Sequence, residues 1–137
     1  MYLAGTIILL THFLFGNVLA AFGKLNKGKV DEAEDLLLQI KRPEWLLKGH
    51  RAYYYFTLGM IALQKKQAGF GEQHLQKALD LGLRTNTDNA LAALNIAHVN
   101  FVKKNYKKAD EYRQIAESFG SDDLLIKENL EKFTLKQ

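Results

Sequence analysis

The chain has 137 residues, 47% hydrophobic and 25% charged, which is one ordinary globular domain with enough apolar side chain for a core. It has no cysteine, which excludes disulfides, thiolate zinc sites and cysteine nucleophiles, and its single proline argues for helices. A net charge of +4 permits anionic partners without selecting one.

The first element is apolar. Met1 to Gly23 contain no Lys, Arg, Asp or Glu, and Leu3 to Phe22 form twenty consecutive residues dominated by Leu, Ile, Phe, Val and Ala. As a helix that length crosses a bilayer core, so residues 1–23 read as an apolar helix and transmembrane anchor that merges with the first helix of the domain. Thr6, Thr11, His12 and Asn17 interrupt the run, and a histidine and an asparagine at mid-membrane depth would each need a partner. A cleaved signal peptide fits less well, because no basic n-region precedes the apolar stretch. Lys24, Lys27 and Lys29 follow at once, so a spanning helix places the remainder of the chain in the cytoplasm. A second assignment competes: residues 14–25 as a packed helix of a domain that stays out of the membrane. That helix cannot also lie in lipid, and the apolar extension then serves self-association or a partner's groove.

After a turn at Asn26 to Lys29, a helix is expected from Val30 to Ile40, opened by Asp31, Glu32, Glu34 and Asp35, where carboxylates suit the helix dipole. Arg42-Pro43 ends it. Trp45 lies beyond, between Glu44 and Leu46-Leu47. A short extra helical turn that tucks the indole into the stack is the first expectation, and a surface anchor for a partner or a membrane interface the second. Tyr53 to Lys66 then reads as a helix, Gln67 to Phe70 as a turn, and Gly71 to Leu81 as a helix that stops at Gly82. In the run Tyr53-Tyr54-Tyr55-Phe56 the side chains radiate all round a helix, so packing must absorb most of them. Asn89 is the expected N-cap of a helix over Ala90 to Lys104, and Asn105-Tyr106 turn into a partner over Lys107 to Phe119, closed by Gly120. Ser121-Asp122-Asp123 cap the last segment, residues 122–137, where Leu124, Leu125, Leu130 and Phe133 make an apolar face among Lys127, Glu128, Glu131 and Lys132.

These elements repeat every 38 residues: Ala20-Ala21, Leu58-Gly59 and Ile96-Ala97; then Ala33, Gly71 and Ala109; then Ile40, Ala78 and Ala116. A fixed period of this length is the signature of stacked helical units. Tyr55, Leu58, Gly59, Ala62, Gly71, Leu75, Ala78 and Leu83 resemble the degenerate pattern of the tetratricopeptide repeat (TPR), with four extra residues per unit, no Trp at the first position and proline only at Pro43. The resemblance covers residues 14–121. It implies an all-α fold: an antiparallel helix-hairpin solenoid of three TPR-like units over residues 24–121 with its first helix in the apolar segment, closed by a capping helix. It also implies a scaffold that mediates protein–protein interaction, with helix A of each unit on a concave face. The partner-binding residues implied there are Tyr53, Phe56, Thr57, Met60, Asn95, His98 and Phe101, beside Leu91 and Leu94. The family's carboxylate clamp of Lys, Arg and Asn would fall on Val18, Phe22, Thr57, Leu91 and Asn95. Only Asn95 fits, so an apolar groove for an amphipathic helix, from a partner or from the chain's own ends, is expected instead.

Lysines crowd the A-to-B turns: Lys24, Lys27 and Lys29; Lys65 and Lys66; Lys103, Lys104, Lys107 and Lys108. On one edge of a stacked array they would face anionic headgroups, or simply water. A nucleic-acid edge lacks interleaved aromatics. Catalytic motifs are missing: His12, His50, His74 and His98 have no second histidine at helical spacing, and Gly69-Phe70-Gly71 lacks the lysine of a phosphate loop. No enzyme activity, cofactor, metal or small-molecule substrate is expected.

Overall fold

The computed structural model describes residues 16–135, which form helices and connections with no β-strand among the described residues. The helices are α1 (16–26), α2 (Val30–Leu38), α3 (Lys48–Gln64), α4 (Ala68–Leu81), α5 (Asn86–Val102), α6 (Tyr106–Ser118) and α7 (Leu124–Leu135). Three of the links, α1–α2, α3–α4 and α5–α6, are tight turns built alike. Gly28, Lys66 and Lys104 each take a positive φ, at 77°, 62° and 65°. The next residues, Lys29, Gln67 and Asn105, donate their N–H back to the carbonyls of Lys24, Ala62 and Asn100 at 2.9, 2.8 and 2.8 Å. This six-residue closure satisfies orphan carbonyls at the helix end and reverses the chain. The 38-residue spacing of the sequence is thus a spacing of backbone geometry too.

Each turn permits a hairpin only because the two helices can approach closely. A methyl carbon added at Gly59 of α3 would lie 2.7 Å from Leu75 Cγ and 3.1 Å from the Gly71 carbonyl; one added at Gly71 of α4 would lie 2.5 Å from Leu63 Cδ2. Leu63 meets Gly71 and Gly59 meets Leu75, so α3 and α4 run antiparallel. In the neighbouring hairpins the corresponding residues are Ala21 with Ala33 and Ala97 with Ala109, all fully buried. Between hairpins, Ala78 of α4 joins Ala52 and Phe56 of α3 and Ala92 and Ile96 of α5 in one apolar cluster. Ala116 of α6 joins Ala90 and Ala93 of α5 and Ile126 of α7.

Several local details depart from expectation. The N-cap of α5 is Thr85, whose Oγ1 accepts the Asp88 N–H at 3.0 Å. Asn89 lies one turn inside the helix, where its buried amide accepts from Leu83 N–H at 2.9 Å and donates to the carbonyls of Leu83 and Thr85 at 3.0 Å each. It pins the α4–α5 connection. The extra helical turn after α2 exists, as a 3-10 turn over Pro43–Trp45, but Leu46 is the residue it buries. Trp45 is 56% exposed, with the Arg42 guanidinium 5.0 Å from its ring centre. Helix α7 is N-capped by Asp123, whose Oδ1 accepts from Leu125 and Ile126 N–H at 2.9 and 3.3 Å. It buries Ile126 and Phe133, with Leu130 packed partly beside them, whereas Leu124 and Leu125 face water. Residues 126, 130 and 133 form one helical stripe, and 124 and 125 fall off it.

The predicted membrane span falls only in part within the described residues. Residues 3–15 lie outside the described residues. Over 16–26, Val18, Ala21 and Leu25 are buried against Ala33, Leu37, Ile40 and Leu46, and Asn17 donates to Gln39 Oε1 at 3.2 Å. Among the described residues no helix is long and apolar enough to cross a membrane.

Two substitutions probe these constraints separately. Gly59→Ala should lower the free energy of unfolding by about 1–3 kcal/mol, because the added carbon meets a fully buried Leu75 and a backbone carbonyl. Lys66→Gly should raise it by up to about 1 kcal/mol, since a non-glycine left-handed residue is strained, offset in part by the flexibility glycine adds to the unfolded chain. Urea denaturation of both variants measures the two effects.

Candidate functional site

Among the grooves that the described residues form, two are lined by residues expected on the concave face. The first lies between α5 and α7, has a volume of about 470 Å³, and is lined by Leu91, Leu94, Asn95, His98, Phe101, Val102, Asn129, Lys132 and Phe133. Helical spacing puts Leu91, Asn95, His98 and Val102 along one side of α5. Asn95 Nδ2 is held by the Leu91 carbonyl at 2.8 Å. Phe101 packs edge-on to both Tyr106 and Phe133, with ring centres 5.4 Å apart in each pair, so the aromatic end of the groove is fixed. His98 is exposed and Lys132 stands at the rim.

The second groove, of about 400 Å³, is lined by Leu19, Phe22, Gly49, His50, Tyr53, Gly82, Leu83, Arg84 and Asp88. Its polar floor is a closed latch. Tyr53 donates its hydroxyl proton to Asp88 Oδ2 at 2.5 Å and accepts from the Arg84 N–H at 3.3 Å. Burial, and then the Asp88 carboxylate, push the Tyr53 hydroxyl up to about 12, so it stays protonated and structural at neutral pH. Burial, with Arg84 nearby, pushes His50 below its ordinary value and favours the neutral ring. Tyr53 ties α3 to the α4–α5 connection.

The seven residues expected on a concave face therefore separate. Asn95, His98 and Phe101 share the first groove and Tyr53 lines the second. Met60 is half-buried between the core clusters. Phe56 and Thr57 are corrections: both are buried in the core, and the Thr57 hydroxyl donates to the Tyr53 carbonyl at 2.8 Å, so neither reaches a partner. Sequence reasoning missed Asn129, Lys132 and Phe133 of α7 as groove residues. One signal could have found them, because carrying the 38-residue register past Asn95 lands on Phe133.

The lysine-rich turns also divide. Lys24 pairs with Glu32 at 3.0 Å, and Lys65 with Glu34 at 2.8 Å and Asp31 at 3.5 Å. Glu72 holds Lys103 at 3.3 Å, Lys108 at 2.5 Å and the Asn100 amide at 3.1 Å. The pairs Lys65–Glu34 and Lys103–Glu72 are one contact repeated 38 residues on, each joining a helix end to the hairpin before it. Lys27, Lys29, Lys66, Lys104 and Lys107 enter none of these pairs and are exposed. Among the described residues, no three His, Cys, Asp or Glu side chains gather as metal ligands. His74 stacks on Tyr55 with ring centres 5.9 Å apart, and burial lowers its basicity.

The chain matches no protein-family model, and comparison with curated proteins and with solved structures likewise gives no match.

The Glu72 cluster predicts a pH dependence. Burial raises the Glu72 carboxyl, but hydrogen bonds from Lys108, Asn100 and Lys103 outweigh it and hold the group below its ordinary 4.5. A carboxyl depressed in the folded state contributes stability that is full above its unfolded value and lost as pH falls through the folded one. The contribution of this cluster to the unfolding free energy should therefore fall as pH drops below about 4.5. Glu72→Gln should flatten that fall and cost about 1 kcal/mol near neutrality, as read by urea titrations across the acid range.

Proposed function

We propose that the chain is a TPR-like adaptor that docks a partner protein at a membrane surface, with the uncharged stretch upstream of residue 16 supplying the attachment. The observation that carries the docking half is the open groove between α5 and α7, where Leu91, Phe101, Val102 and Phe133 offer an apolar floor beside Asn95 and His98. Its length and chemistry suit an amphipathic helix laid along α5, and Lys132 at the rim favours acidic residues flanking that helix's apolar face. The resemblance to tetratricopeptide repeats supports the same use, since A-type helices are where that family binds. What supports the membrane half is the lack of any charged residue from Met1 to Gly23.

Carbonate extraction of membranes tests the attachment. The full chain should stay in the pellet, and a chain lacking residues 1–15, which leaves the buried face of α1 intact, should be released. Release of the full chain would instead favour a scaffold whose apolar extension drives self-association. For docking, His98→Glu and Phe101→Ala should each reduce partner capture from detergent extracts by at least about tenfold, the effect of losing a central anchor. Equal capture by all three proteins would remove the α5–α7 groove from the reading.

A further inference from the structure

The end of α2 and the α2–α3 connection carry three exposed apolar residues that the core does not claim. Leu38 is 63% exposed, Trp45 56% and Leu47 66%, while Leu46 between them is buried and anchors the segment. Lys41, Arg42 and Lys48 are exposed in the same segment and Glu44 is the one acidic residue over 38–48, which leaves an excess of two positive charges. Arg42 lies over the indole face, 5.0 Å from its centre. A large amphipathic ring and two leucines inside a basic collar form a surface suited to the headgroup region of an anionic bilayer, where tryptophan gains from a partly wet, partly apolar setting.

The position of this segment in the fold strengthens the reading. Asn17 of α1 hydrogen-bonds Gln39 at 3.2 Å, so this part of α1 lies beside the start of the α2–α3 connection. The lysine-rich turn at 27–29 is at the far end of α1, about 15 Å away for eleven helical residues. The uncharged stretch before residue 16 therefore joins the domain at the edge that carries Trp45. The edge of the lysine-rich turns, on which the sequence placed the membrane surface, is the opposite one. The α6–α7 connection carries Asp122 and Asp123, whose charge is unfavourable against anionic lipid and confines close approach to the Trp45 end.

We infer that residues 38–48 form a membrane-interface contact, with Trp45 and Leu47 lodged at the headgroup level of an anionic bilayer and Lys41 and Lys48 drawn to lipid phosphates. This rests on the membrane attachment proposed above and adds which face of the domain meets the lipid. Arg42 screens the indole face in water and can turn to a headgroup once the ring is inserted.

Trp45 is the only tryptophan in the chain, so its fluorescence reports on this segment alone. The full chain should be mixed with vesicles of phosphatidylcholine, with and without phosphatidylglycerol, and read for iodide quenching and for quenching by lipids brominated near the headgroup. With the anionic vesicles, iodide access should fall severalfold, the emission should shift to the blue, and shallow bromines should quench. Lys41→Glu combined with Lys48→Glu leaves the Arg42–Trp45 contact in place and should restore iodide access to its value without vesicles. Sedimentation with the vesicles while Trp45 stays open to iodide would overturn this contact and leave the attachment standing. Failure to sediment at all would overturn both, and protection of Trp45 without lipid would assign the patch to a protein contact.

Discussion

The architecture depends on how closely two helices can approach. At the α3–α4 crossing the space is set by two glycines, Gly59 and Gly71, with Leu63 and Leu75 interlocked so tightly that a single extra carbon collides with side chain or carbonyl. The other hairpins meet the same demand with alanine pairs, Ala21 with Ala33 and Ala97 with Ala109. Glycine is expensive inside a helix, by roughly 0.5–1 kcal/mol relative to alanine. Its presence at both positions of the middle hairpin is explained by packing there, and no ligand needs to be invoked. That hairpin is also the one flanked on both sides, so its spacing sets the positions of its neighbours.

Given that spacing, the rest follows by repetition. The left-handed residue at 28, 66 and 104 sets the angle at which each chain reverses. Small residues at Ala78 and Ala116 let the next helix lie against the hairpin. The ion pairs Lys65–Glu34 and Lys103–Glu72 fasten each hairpin to the one before it. Lys65 is about a third exposed, so its pair is worth little by itself, whereas Glu72 is mostly buried and collects three donors. The contact is the same in both places, but its energetic weight grows where α5 covers it.

What the sequence disclosed and what it withheld divide along a physical line. Small residues and turns were legible, because a period in Gly, Ala and turn positions records the backbone approach directly: Ala33, Gly71 and Ala109 are buried where the period places them. Side-chain destinations were less legible. Phe56 and Thr57 share a helix with Tyr53 and Met60, and only the neighbours on either side decide which of them is covered. Trp45 was expected inside because tryptophan is large and apolar, but the adjacent Leu46 fills the available space and leaves the indole to Arg42 and solvent. Asn89 looked like a cap by its position before an apolar run; Thr85, four residues earlier, has the extended backbone that capping requires, which freed the amide to clamp Leu83. Leu124 and Leu125 were assigned to the buried stripe of α7 by hydrophobicity alone, and the helical phase set by Asp123 turned them outward.

The same physical line bears on the N-terminal stretch, where one set of residues faced two incompatible demands. A helix in lipid must be apolar all round, whereas a helix in a stack needs one small, tightly fitted face and tolerates water on the other. Residues 16–26 meet the second specification: Val18, Ala21 and Leu25 are buried while Leu19 and Ala20 are exposed, and Asn17 is buried with its amide bonded to Gln39. Once these residues belong to the stack, the beginning of α1 is where any upstream apolar segment must meet the domain. Of the lysines at the turns, Lys24, Lys65, Lys103 and Lys108 are paired with Glu32, Glu34 and Glu72, and the rest face water. The α5–α7 groove lies at the other end of the helix order from α1, away from the core face that residues 16–26 fill.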